Sequence, residues 1–286
     1  MRTMIEQIGI VGAGTMGNGI AQVCAAAGLP VVMTDISDAA LTRGMSVVSG
    51  SLERLVNKQK MTEADRQAAL GRITTSTDTA KFATCDLVIE AATENEELKV
   101  KILKDLCAKL QPRTLLATNT SSISITKLAA ATDRPDRFIG MHFFNPVPLM
   151  ALLELIRGLQ TSDDTHAKAE AFAKRIGKVS ITAKNSPGFA VNRILCPMIN
   201  EAIFALQEGL ATAEDLDAGM KLGCNHPIGP LALADMIGLD TMLSVMEVFY
   251  QGFNDPKYRP APLLKEMVAA GHLGRKTGQG FYSYGK

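Results

Sequence analysis

The sequence predicts an α/β domain over residues 1–185, built on a parallel sheet, followed by an all-helical domain over residues 186–286. Three observations carry this reading. Short apolar runs of strand type alternate with helical segments through the first part of the chain, the order that builds a parallel sheet with helices on its faces. A glycine-rich turn, Gly12-Ala13-Gly14-Thr15-Met16-Gly17, joins the first of those runs to the first helix. After Pro187-Gly188 the strand signal fades and long apolar helices follow. A length of 286 residues also fits two domains.

Taken in order, residues 8–11 (IGIV) form a wholly apolar run, the pattern of a strand buried on both faces. Residues 15–27 are rich in small side chains, have helical period and stop at Gly28. Residues 31–34 are a second apolar strand that ends on Asp35. Residues 42–60 are helical with one polar face. A further helix follows in MTEADRQAALGRI, with Thr62 as its N-cap. These two helices are longer than a simple crossover and read as an insertion, either a solvated arm or a segment that reaches over a ligand. Strands at 87–90, 114–118 and 138–142 then alternate with helices at 97–110 and 125–131. Asn145-Pro146-Val147-Pro148 turns the chain, because proline cannot continue a helix and is disfavoured inside a ladder. Residues 149–156 return as a strand carrying Glu154. In the helical domain, residues 191–206 are apolar on more than one face, which points to burial at a subunit interface.

The first fifty residues have the arrangement of a Rossmann-type dinucleotide site. Gly12 permits the tight turn off the strand, Gly14 lets the backbone approach a pyrophosphate, and Gly17 lets the helix pack close to the sheet. The helix that begins at Thr15 and Met16 turns its N-terminal N–H groups and positive dipole end toward that pyrophosphate. Asp35 lies 18 residues beyond Gly17, at the end of the second strand. A carboxylate there accepts hydrogen bonds from a ribose diol and repels a 2′-phosphate, which favours NAD over NADP. FAD enzymes share the glycine pattern and remain the nearer alternative.

Ligands of such sheets bind outside the carboxyl ends of the strands. Those ends read EAATEN at 90–95, NTSS at 119–122 and HFFNP at 142–146, polar at the point where each apolar run stops. His142 and Glu154 lie in otherwise apolar surroundings, where an ionisable side chain is costly unless it is paired or used. A satisfied core histidine and a structural salt bridge are the bland readings of the two taken singly. If the two strands pair around the proline corner, the carboxylate returns alongside the imidazole. For Ser121 a helix N-cap competes with a binding role, and Asn192 could serve as a helix-end hydrogen bonder.

Bulk properties exclude several classes. Net charge is +1, with 47% hydrophobic and 21% charged residues, which argues against a nucleic-acid binder. No apolar run is long enough for a membrane span. The pattern of a folded strand begins within a few residues of the N-terminus, so no signal peptide is expected and a cytoplasmic location is the default. The five cysteines are scattered, odd in number and form no CxxC pair, so neither disulfides nor a metal cluster is expected. Cys24 and Cys196 sit in apolar helices and read as buried structural thiols. Arg275 and Lys276 read as a solvated basic patch.

The combination of GAGTMG with its Asp35, NTSS, HFFNPVP with Glu154 downstream, NSPGFAVNR and the terminal GRKTGQGFYSY resembles the L-3-hydroxyacyl-CoA dehydrogenase family, over essentially the whole chain. The compact length is similar to the bacterial 3-hydroxybutyryl-CoA members. The resemblance implies NAD-linked, reversible oxidation of an L-3-hydroxyacyl-CoA to the 3-ketoacyl-CoA, with a helical domain that forms a homodimer. It places the catalytic histidine on His142, its partner on Glu154, and substrate-oxygen contacts on Ser121 and Asn192. Asn145 is implied as a further contact beside the histidine. Glu94, Lys99 and Asn119 are implied near the nicotinamide, and Ser51 and Lys58, in the two-helix insertion, at the CoA moiety. In chemical terms, a neutral imidazole removes the hydroxyl proton as hydride leaves, and a carboxylate on its second nitrogen holds the tautomer and stabilises the cation. Two rivals share the scaffold: a dehydrogenase of another hydroxy acid, and an NAD-binding structural protein without turnover.

Overall fold

The computed structural model describes residues 4–285. The chain forms two compact units, Met1–Asn185 and Ser186–Lys286.

The first unit is a single eight-stranded sheet in the order β3-β2-β1-β4-β5-β6-β7-β8. Its elements are β1 (Ile8–Val11), α1 (Thr15–Ala26), β2 (Val31–Thr34), α2 (Asp38–Asn57), α3 (Glu63–Gly71), β3 (Ile73–Ser76), β4 (Leu87–Glu90), α4 (Glu96–Lys109), β5 (Leu115–Thr118), α5 (Ile125–Ala130), β6 (Phe138–Phe143), β7 (Leu152–Arg157), α6 (Asp163–Arg175) and β8 (Val179–Lys184). Strands β1 to β6 are mutually parallel, and β7 reverses against β6 with β8 parallel to it. The central strands β1, β2, β4 and β5 are buried at every position, as their unbroken apolar runs require.

Local capping explains several boundaries. Ser37, Thr62, Asn95, Ser124 and Ser162 each accept a backbone N–H from the first turn of the helix they precede. Helix α2 therefore starts at Asp38, four residues before the apolar period becomes visible. The cap of α5 is Ser124, not Ser121, which corrects the N-cap reading of Ser121. The two expected helices between β2 and β4 are present, and they lead into β3, which the sequence reading passes over. Strands β3 and β8 and helix α6 went unread for one physical reason. The two strands are sheet edges, β3 exposed at half its positions and β8 at most, so neither needs a continuous apolar run. Helix α6 is largely polar and buries only Thr165, Ala169, Phe172 and Ala173.

The second unit holds α7 (Val191–Gln207), α8 (Ala213–Gly223), α9 (Pro230–Ile237), α10 (Leu239–Phe253) and α11 (Pro262–Ala269). Cys196, Ile199 and Ile203 from α7 pack with Leu231, Met246, Phe249 and Leu264 in its core. Two buried aspartates organise it. Asp217 accepts the N–H groups of Leu231 and Ala232 and so caps α9, whose own N-cap residue, Gly229, has no side chain to do so. Asp235 accepts the N–H groups of Phe281 and Tyr282 and the Tyr284 hydroxyl, and ties down the terminal FYSY segment.

Among the described residues no helix is long and apolar enough to cross a membrane, and no three His, Cys, Asp or Glu side chains are placed to hold a metal. Burial pushes the Cys24, Cys85 and Cys196 thiols up to about 12, so these side chains stay as inert thiols.

Candidate active site

Because β1, β2, β4, β5 and β6 are parallel, their carboxyl ends share one edge of the sheet. That edge carries the glycine turn, Asp35, the 90–95 loop, Asn119 to Ser122 and His142.

At the glycine turn Gly12 has φ +101°, in the region that favours glycine. A Cβ at Gly17 would lie 1.8 Å from the Gly12 carbonyl oxygen, so α1 packs against the turn at backbone distance. Gly14 is the exposed N-cap of α1, and a Cβ there would meet nothing within 4 Å. No side chain caps α1 and no acid sits in its first turn, so the positive end of the helix is left to an external anion. Thr15 is exposed and Met16 half-buried at that end. The Asp35 carboxylate accepts the Ala13 N–H at 2.8 Å through Oδ2 and the Ile36 N–H at 2.7 Å through Oδ1. It is thereby fixed beside the turn. These residues fit a dinucleotide: an open backbone cradle for a pyrophosphate, and a carboxylate at the second strand's end for a ribose diol. Gly17→Ala forces a backbone shift at the cradle and is expected to lower unfolding stability by about 3 kcal/mol, read from the denaturant midpoint.

At the end of β4 is a buried ionic knot. Glu90 and Lys99 are both fully buried, and the Lys99 ammonium donates to both Glu90 oxygens at 2.9 Å. Glu90 also accepts the Ala92 N–H and the Thr118 hydroxyl. Lys99 lies 3.6 Å from Glu94, whose other oxygen accepts the Thr120 hydroxyl, the Ser121 N–H and hydroxyl, and the Ser122 hydroxyl. The knot therefore ties the 90–95 loop to the 119–122 loop and brings Glu94, Lys99 and Ser121 together. Asn119 receives the Phe143 N–H at 3.0 Å through Oδ1 and gives its own N–H to the Glu90 carbonyl at 2.7 Å, joining the ends of β4, β5 and β6.

The end of β6 carries the histidine. The antiparallel register sets His142 directly opposite Glu154. Directly opposed side chains point to the same face at short Cβ separation. His142 Nδ1 lies 2.6 Å from Glu154 Oε2, with the histidine 6% exposed and the glutamate fully buried. An ionised carboxylate only accepts, so Nδ1 carries the donated proton and Nε2 is the basic nitrogen of the neutral ring. The Phe144 ring packs on the imidazole at 4.5 Å between centroids. Asn145 is exposed on the loop that follows, ahead of a cis bond to Pro146.

The remaining expected site residues lie elsewhere. Ser51 is half-buried on α2 and Lys58 is exposed at that helix's C-cap. Asn192 is the second residue of α7 in the second unit, half-buried. Lys276 is paired with Asp240, and Arg275 packs on the Tyr284 ring at 5.3 Å, so this basic pair is partly neutralised by its own domain. Glu90, Thr118 and Thr120 were not singled out from the sequence. The signal was present in Glu90, an acid closing an apolar strand nine residues before a helical lysine.

Residues 7–186 match the family model for the 3-hydroxyacyl-CoA dehydrogenase NAD binding domain, and residues 188–284 match that for the C-terminal domain of the same family. The chain belongs to the 3-hydroxyacyl-CoA dehydrogenase family. Its first unit is that family's NAD-binding domain and its second the family's helical C-terminal domain. It is 55% identical to the 3-hydroxybutyryl-CoA dehydrogenase of Bradyrhizobium diazoefficiens, over 99% of this chain and 97% of that protein. It is 45% identical to the 3-hydroxybutyryl-CoA dehydrogenase of Clostridioides difficile, over 98% of this chain and all of that protein. Among solved structures, (S)-3-hydroxybutyryl-CoA dehydrogenase PaaH1 from Ralstonia eutropha superposes with a TM-score of 0.97. It shares 68% identity, over 99% of this chain and 100% of that one.

Proposed function

We propose that this 3-hydroxyacyl-CoA dehydrogenase family member interconverts a short L-3-hydroxyacyl-CoA, 3-hydroxybutyryl-CoA in the first instance, and the 3-ketoacyl-CoA. The observation that carries the reading is the buried His142–Glu154 pair. It stands at the carboxyl edge of the sheet that also holds the glycine cradle and Asp35.

NAD, when bound, would supply the acceptor for the hydride that leaves the C3 carbon. Gly12, Gly14, Thr15, Met16 and Gly17 would hold its pyrophosphate and Asp35 its adenosine ribose, while Glu94, Lys99, Asn119 and Asn145 would border the nicotinamide end. His142 takes the hydroxyl proton on Nε2 as the carbonyl forms. The resulting imidazolium is stabilised by Glu154, whose charge acts at short range in a setting that water does not screen. In the reverse direction the same imidazolium returns the proton to the oxygen. Ser121 and Asn192 hydrogen-bond that oxygen and orient it, with Asn145 assisting, and Ser51 and Lys58 contact the CoA moiety.

The test is loss of NADH absorbance with acetoacetyl-CoA as the oxidised substrate. Turnover supports the reading, and its absence with folded protein overturns it. Asp35→Ala is expected to raise KM for NADH about tenfold or more while moving that for NADPH far less, because only the former depends on an acceptor for the ribose diol.

The proposal extends to a homodimer formed through the helical unit and to action in the cytoplasm. Ile194 on α7 is 73% exposed, and Leu210 and Leu222 are more so, exposed apolar side chains of the kind that a second copy would cover. Light scattering is expected to give twice the chain mass.

A further inference from the structure

The corner between β6 and β7 is held from outside by a residue remote in sequence. Residues 144–151 connect the strand that carries His142 to the strand that carries Glu154. Within that corner the Leu149 and Met150 N–H groups return to the Pro146 carbonyl at 2.9 and 3.0 Å, a single turn. Lys178 precedes β8 and sends its ammonium to two of the corner's carbonyls, Val147 at 2.5 Å and Met150 at 2.6 Å. Its own backbone is anchored, with its N–H on the Ala173 carbonyl and the Val179 N–H on the Ala151 carbonyl, both at 2.9 Å. On the other side Val147 is buried against α1, where a Cβ at Gly19 would stand 2.9 Å from the Val147 side chain. The corner is thus gripped between a helix and a lysine.

We infer that Lys178 is a positioning residue for the His142–Glu154 pair, acting through the corner that joins their strands and through Phe144 and Asn145 at its near end. Lys178 touches no reacting group. Its ammonium has no carboxylate partner among the described ion pairs, and burial lowers its pKa from the usual lysine value. Lys178 is half-buried, and a cation drawn partly out of water with two carbonyls as its partners carries a cost of position. That cost is offset if it fixes the corner's backbone, since a shift of about an ångström at a proton-transfer site lowers turnover by about 100-fold.

The inference rests on the proposed reaction, and a second readout separates the two. Lys178→Met keeps the length and removes the donor, Lys178→Gln restores a neutral donor, and Lys178→Arg restores a charged one. Expected results are a roughly tenfold lower kcat for the Met variant, with KM for NADH within about twofold of wild type, and recovery of at least half the loss in Gln and Arg. In nitrogen-edited spectra the His142 ring signals, assigned by their disappearance in His142→Gln, are expected to move in the Met variant and hold place in Arg. A Met variant with wild-type kcat, equal loss in all three variants, or unmoved His142 signals beside a lowered kcat would each overturn the inference. If Met does not fold, Gln and Arg must both retain kcat within about threefold and the wild-type His142 signals, or the inference fails. If the wild-type protein does not turn over, the proposed reaction falls, and the His142 spectra alone decide whether Lys178 sets the pair.

Discussion

His142→Ala is expected to lower kcat by about 10²–10⁴-fold, the range for loss of a general base, with KM for NADH little changed. The alanine also takes from the fully buried Glu154 the ring that now meets it at 2.6 Å. Removing one partner of a buried hydrogen-bonded pair is destabilising, so part of any loss in His142→Ala will be instability. His142→Gln separates the effects. Its amide N–H can still donate to Glu154, yet it cannot take a proton, so it is expected to match the alanine in kcat while unfolding at higher denaturant. Glu154→Gln completes the set. An amide is neutral and can present N–H to Nδ1, which would favour the other ring tautomer, and about a 10³-fold loss of kcat is expected. A His142→Gln enzyme within tenfold of wild type would remove the histidine from the reaction.

Lys99→Met carries the second large effect, on stability. Glu90 lies at the carboxyl end of β4 with both oxygens on the Lys99 ammonium, and neither side chain reaches solvent. Removing one partner of a buried pair costs about 3–5 kcal/mol, because the survivor keeps its desolvation and loses its compensation. Glu90→Gln/Lys99→Met removes both charges, keeps an amide oxygen to accept the Ala92 N–H and turns the other contact round, the amide N–H donating to the Thr118 hydroxyl, so it is expected to recover at least half of that loss in a denaturant titration. The single variant is also expected to weaken NADH binding, since Glu94 and Ser121 are held through the same knot. A single variant as stable as wild type would show that water reaches Glu90 and that the pair is not dry.

Different parts of the molecule were legible to different depths. The glycine cradle, Asp35 and the central strands were readable because backbone geometry and full burial leave few residue types able to serve there. Thr62 was readable as a cap because capping is a contact between residues three apart. The edge strands β3 and β8 were not, because exposed edges impose no apolar run. The sequence reading weighed a cap role only for Ser121, although Ser124 stands directly before the helix. Only Ser124 meets the Lys127 N–H, while Ser121 is taken by Glu94.

By itself the sequence determined a dinucleotide cradle at the N-terminus, an α/β part followed by helices, and a histidine and a glutamate set in apolar strands. Those follow from local chemistry, namely turn geometry, periodicity and the cost of burying charge. Only the tertiary structure decided that His142 and Glu154 stand opposite each other on antiparallel neighbours, that Glu90 and Lys99 neutralise each other, and that Lys178, just before β8, grips the corner. Each of these joins residues separated in the chain by 9 to 31 positions. Their meeting depends on strand register and loop path, which arise from packing the whole sheet and which no window of sequence contains.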